Sequence, residues 1–121
     1  MRQGKRETLL PEGAHVGGLF LSTREEDLLT LLIGKQLYGL EILEATKVSG
    51  RTIGVGSLYP TLHKMEHRGL VQSWWGEETP VARGHARRRY YTATALGERV
   101  LAHTQRRRAG LAQWHPVGGR S

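Results

Sequence analysis

Apolar positions in the central part of the chain recur with helical spacing, then switch to short runs of β-forming residues, then return to helical spacing. Leu28, Leu29, Leu31, Leu32 and Ile33 form a first stripe. Thr23 ahead of it can cap free N–H groups, and Glu25, Glu26 and Asp27 sit near the positive end of the dipole. Gly34 fits a stop. Tyr38-Gly39 opens a second helix, in which Leu40, Ile42, Leu43 and Ala45 can face a core, ending near Ser49-Gly50. The run Arg51-Thr52-Ile53-Gly54-Val55-Gly56 is too rich in glycine for a helix interior, so it predicts a turn before a third helix from Ser57 to about Arg68. Ser57 is the expected cap of that helix. Pro60, three residues later, then lacks an N–H that would have had no partner anyway. Leu58, Leu62 and Met65 share one face of the helix, while Tyr59, His63, Lys64 and His67 spread over the rest.

Gly69 suits the residue just beyond the helix. Leu70 to Trp75 and Arg88 to Ala93 have the β-branched and aromatic content of two strands, joined by a long basic connection from Gly76 to Arg87. In such a hairpin Trp74, Trp75, Tyr90 and Tyr91 form a cross-strand aromatic cluster, with one tryptophan buried and its neighbour exposed. Thr94 begins a fourth helix through about Arg108, whose apolar stripe is thin. The expected organisation is an N-terminal arm (1–22), a body (23–93), a C-terminal helix (94–110) and a tail (111–121).

The chain has 121 residues and no cysteine, which excludes disulfides, thiolate metal sites and a thiol nucleophile, and suits one small domain. No apolar run reaches the roughly 18 residues of a membrane span and the N-terminus has no secretory core, so the expectation is a cytoplasmic protein with no membrane partner. Charge is unevenly placed. Residues 1–78 hold nine Lys/Arg against ten Asp/Glu, and residues 79–121 hold nine against one. A basic block on a near-neutral body points to a polyanion, most often nucleic acid.

The order helix, helix, turn, helix, two strands around a basic loop, helix is that of a winged helix-turn-helix: mainly α, with a two-stranded β wing. Such a fold presents one helix. At about 10–12 Å wide with side chains, that helix matches a major groove about 12 Å across. The expected DNA-contacting set is Ser57, Tyr59, Pro60, Thr61, His63 and Lys64 on the third helix, with Arg83, Arg87 and Arg88 from the wing. Tyr59 could equally brace the hairpin with its ring. Glu66 and Arg68 read as structural or solvated. His63-Lys64-Met65-Glu66-His67 has the H-x-x-E-H spacing of a zinc protease, but no third ligand is identifiable, so neither enzyme activity, metal nor cofactor is expected. The same scaffold could instead serve protein–protein contact or nonspecific nucleic-acid binding.

Residues 56–71, G-S-L-Y-P-T-L-H-K-M-E-H-R-G-L-V, resemble the G-S-L-Y-P-x-L-x-x-L-E-x-x-G-L-I run of PadR-type regulators. Leu37 to Ile42 and Arg88 to Gly97 resemble two further motifs of that family, in the same order. The resemblance implies a homodimeric repressor that binds double-stranded operator DNA through the third helix and wing and dimerises through terminal helices. It also implies an apolar cavity at the dimer interface that can take a small aromatic effector. The chain departs from the family in its short C-terminus and in Gln105 to Arg108, which stand where apolar surface would line such a cavity.

Overall fold

In the computed structural model, which describes residues 20–77, 79–81 and 84–118, the first helix is capped by Ser22 rather than Thr23. In α1 (Thr23–Leu32), the Glu25 N–H donates to Ser22 Oγ at 3.1 Å, and the Ser22 N–H donates to Glu25 Oε1 at 2.9 Å. Thr23 and Glu26 have the same spacing, but the box that forms is the one between Ser22 and Glu25. The expectations for residues 1–19 and 119–121 lie outside the described residues.

After Gly34, a two-residue strand β1 (Leu37–Tyr38) precedes α2 (Gly39–Ser49); Tyr38 ends the strand and also caps the helix, its N–H donating to Glu41 Oε1 at 3.1 Å. On α2, Ile42 is fully buried, but Leu40 faces outward at 67% exposure, contrary to the expected core stripe. The third helix, α3 (Val55–His67), starts two residues before Ser57, with Gly54 as its cap. The N–H groups of Ser57 and Leu58 both donate to the Gly54 carbonyl, at 3.0 and 2.9 Å. Ser57 is therefore not the cap, and Pro60 sits in the second turn. There its missing N–H deprives the exposed Gly56 carbonyl of a partner.

Packing offsets this defect. Leu58, Leu62 and Met65 are completely buried. At about 1.5–3 kcal/mol for each buried side chain, together they outweigh a proline interruption of about 3 kcal/mol. The far end of α3 closes with the Leu70 N–H on the Met65 carbonyl and the Gly69 N–H on the Glu66 carbonyl, both at 2.9 Å. That double bond pattern places Gly69 at φ 80°, a conformation glycine adopts without penalty.

Strand β2 (Val71–Trp75) pairs antiparallel with β5 (Arg89–Ala93), and β1 pairs with the other edge of β5, giving a three-stranded sheet in the order β1-β5-β2. The wing connection, read from the sequence only as long and basic, contains a ladder of its own: β3 (Thr79–Val81) opposite β4 (Gly84–Ala86). Neither tryptophan is fully buried. Trp74 is half-buried and Trp75 is 53% exposed, because the strand runs past the end of the core at that point.

Thr94 caps α4 (Ala95–Gln113) as expected, accepting from the Gly97 N–H at 3.0 Å. The helix continues five residues beyond Arg108. Val100 and Leu101 join the core, whereas every residue from Gln105 to Gln113 is exposed. Among the described residues no helix is long and apolar enough to cross a membrane.

Candidate nucleic-acid interface

Successive residues on an α-helix turn by about 100°, which sets the faces of α3. The buried stripe of Leu58, Leu62 and Met65 lies opposite an outward stripe of Gly56, Pro60, His63 and His67, all exposed. Two flanks border that outward stripe. Tyr59 and Glu66 lie on one, Ser57, Thr61 and Lys64 on the other.

The sheet and wing adjoin the Tyr59/Glu66 flank. Ser73 Oγ donates to the Glu66 carboxylate at 2.9 Å, Arg89 Nε donates to Ser73 Oγ at 3.0 Å, and Arg89 Nη2 lies 3.9 Å from Glu66. Glu66 supplies an acidic partner for Arg89, and so joins the wing to the end of α3. Tyr59 is only 42% exposed because its hydroxyl presses on the backbone of Gly39, where any Cβ would overlap it. Its ring therefore braces the start of α2, with one edge left on the outward face.

The predicted wing residues Arg87 and Arg88 are held over aromatic rings. The Arg88 guanidinium stands 4.7 Å from the Tyr38 ring centroid. Arg87 stands 5.8 Å from that of Trp75, and its Nε donates to the Gly76 carbonyl at 3.2 Å. Such contacts fix cation direction without neutralising charge. Neither arginine pairs with a carboxylate among the described residues. Arg83 lies outside the described residues. Trp74 stacks on Tyr90 at 6.1 Å, and Tyr90 meets Tyr38 edge-on at 5.7 Å, so two of the four expected rings pack together and β1 adds Tyr38 to them. Tyr91 turns instead into the core, where burial raises its phenol above the ordinary value near 10 despite the opposing charge of Arg89.

The H-x-x-E-H spacing does not gather a metal site. His63 and His67 are exposed, Glu66 is engaged by Ser73, and no group of three candidate ligands forms among the described residues. What sequence reasoning missed lies at the start of α1. Three consecutive carboxylates each hold an arginine from another part of the chain: Glu25 with Arg68 at 2.9 Å, Glu26 with Arg108 at 2.6 Å, and Asp27 with Arg51 at 3.2 Å. Local periodicity carries no signal for pairs so far apart in sequence; only the abundance of acids in one turn marked the place.

A family model described as the transcriptional regulator PadR-like family matches residues 28–103. The transcriptional regulator Rv3488 of Mycobacterium tuberculosis is 35% identical over 86 residues, which cover 71% of this chain and 75% of that protein. The fold matches that of a PadR-like transcription factor from Bacteroides fragilis with a TM-score of 0.65 and 22% identity, over 91% of this chain and 94% of the other. It also matches Bacillus subtilis PadR, solved in complex with operator DNA, with a TM-score of 0.56 and 20% identity, over 82% of this chain and 52% of that one.

Proposed function

Because the chain belongs to the PadR-like family of DNA-binding transcriptional regulators, we propose that it acts as a homodimeric repressor in the cytoplasm, each subunit reading one half of a palindromic operator through α3. The observation that carries this reading is the division of α3 into a fully buried stripe and an exposed outward stripe bordered by Lys64, which pairs with no carboxylate among the described residues. Pro60 and His63 lie on that outward stripe and reach base edges, while Ser57, Thr61 and Lys64 serve the backbone from one flank. Tyr59 contributes its exposed edge. Arg87 and Arg88, aimed by their aromatic platforms, enter the neighbouring minor groove or meet its phosphates, together with Arg83. Gly54 offers no side-chain oxygen to the first N–H groups of α3, and these favour a nearby phosphate.

The second subunit packs along α4, whose outer half carries the exposed Leu111 and leads into the exposed Trp114. A small aromatic effector would find its apolar surroundings beside these two residues, since they supply the apolar and aromatic surface of that half.

Selection of binding sites from random duplex DNA tests the proposal. It should return a short palindrome with half-sites about one helical turn apart. Lys64→Ala should weaken binding to every sequence, whereas His63→Ala and Tyr59→Ala should reduce the preference for the selected site over random DNA. Recovery of no motif, with uniform coverage in footprinting, would reject sequence-specific regulation in favour of nonspecific binding.

A further inference from the structure

On the Thr61/Lys64 flank of α3, away from the wing, a cleft of about 570 Å³ opens between the start of α1, the turn at Arg51 to Ile53, and α3 itself. Three cations line it, Arg24, Arg51 and Lys64, among the hydroxyls of Thr23, Thr52 and Thr61. Glu25 and Asp27 line it too, but both are engaged. Glu25 is nearly buried against Arg68, which neutralises it from outside the cleft, and Asp27 forms an ion pair with Arg51. Arg24 and Lys64 pair with no carboxylate among the described residues. The cleft is therefore cationic on balance.

A major groove is bounded by one phosphate backbone on each side. A helix lying in it meets phosphates along both flanks, and the wing adjoins only one flank of α3. We infer that the cleft is a second backbone grip, in which Arg24 and Arg51 hold a phosphodiester of the strand opposite the one held by the wing. Lys64 stands between this grip and the helix face. The Asp27–Arg51 pair is open to water, with side-chain exposures of 41% and 66%. Exposed pairs of this kind are weak, so an arriving phosphate can draw the guanidinium away. Asp27 then competes with DNA for Arg51 and acts as a brake on affinity. This inference rests on α3 being the groove-reading helix.

The test measures binding of the full chain to a random-sequence duplex of about 30 base pairs, roughly three helical turns, as salt is varied. Arg24→Ala and Arg51→Ala should each weaken binding at least about threefold and lower the salt slope by about one per subunit. Arg99→Ala, which removes the same charge from an exposed position on α4, should do less on both counts. Asp27→Ala should tighten binding more than Glu98→Ala, its charge-matched control. If the Asp27–Arg51 pair served only to hold the fold, Asp27→Ala and Arg51→Ala would shift affinity in the same direction; that result overturns the inference. Wild-type binding by Arg24→Ala and Arg51→Ala, with Lys64→Ala weakened, overturns the grip and leaves α3 as the reader. Wild-type binding by Lys64→Ala and Arg87→Ala as well removes the groove-reading premise itself.

Discussion

Gly39 and Tyr59 show how one small residue decides what a larger one can do. The tyrosine ring is half on the outward face and half against the start of α2 because position 39 has no Cβ. Gly39→Ala should therefore push the ring out, at a cost of about 1–3 kcal/mol in urea unfolding. In a Tyr59→Ala background the same substitution should cost close to nothing; an equal cost in both backgrounds would show that the two residues do not interact. Gly97→Ala should cost more than Gly39→Ala, since its Cβ would meet the Leu70 backbone carbonyl, which cannot swing aside as a side chain can. The polar set on α3 was legible in the sequence because helical periodicity separates it from Leu58, Leu62 and Met65. A bracing role for Tyr59 was expected only as an alternative and against the hairpin, whereas the residue it braces is Gly39, twenty positions away in the chain.

Among the elements, helices were the most readable and their first residues the least. The expected start of α3 at Ser57 followed from hydroxyl capping preference. The structure places two glycines in the cap and first turn, where their poor interior propensity matters little. The wing was visible as two strands, but β1 and the β3–β4 ladder were not, because runs of two or three residues carry too little alternation to detect. The Arg68–Glu25 pair, which joins the end of α3 to α1, is the tie most open to measurement. Glu25 is 7% exposed, and Arg68 also donates to the Phe20 carbonyl at 2.8 Å. Arg68→Met should cost about 2–3 kcal/mol by leaving a largely buried carboxylate without its partner. Adding Glu25→Gln should recover most of that loss, because the amide oxygen still closes the capping box. Failure of the double variant to recover would mean that the Phe20 contact, not the charge, dominates.

At the scale of the whole molecule, positive charge collects on one side of the sequence and the fold distributes it. Arg87 and Arg88 go to the wing, Arg106 to Arg108 to the projecting half of α4. That half of α4 runs on to Gln113 and carries the exposed Leu111 towards the exposed Trp114, the apolar surface on which the proposed dimer seam rests. Leu111→Asp combined with Trp114→Ala should shift the protein to monomer in sedimentation analysis at micromolar concentration, with little change in helix content. An unchanged dimer would place the seam elsewhere. The three carboxylates of α1 bear on how the domain can be cut. Each of residues 25, 26 and 27 holds a different arginine, and all three precede position 28. A fragment trimmed to 28–103 would keep every buried leucine of α1 yet lose its three anchors together, and Arg108 besides. The turn before α3 and the residue after it would then both be untethered, so the shortest stable unit should begin no later than Ser22.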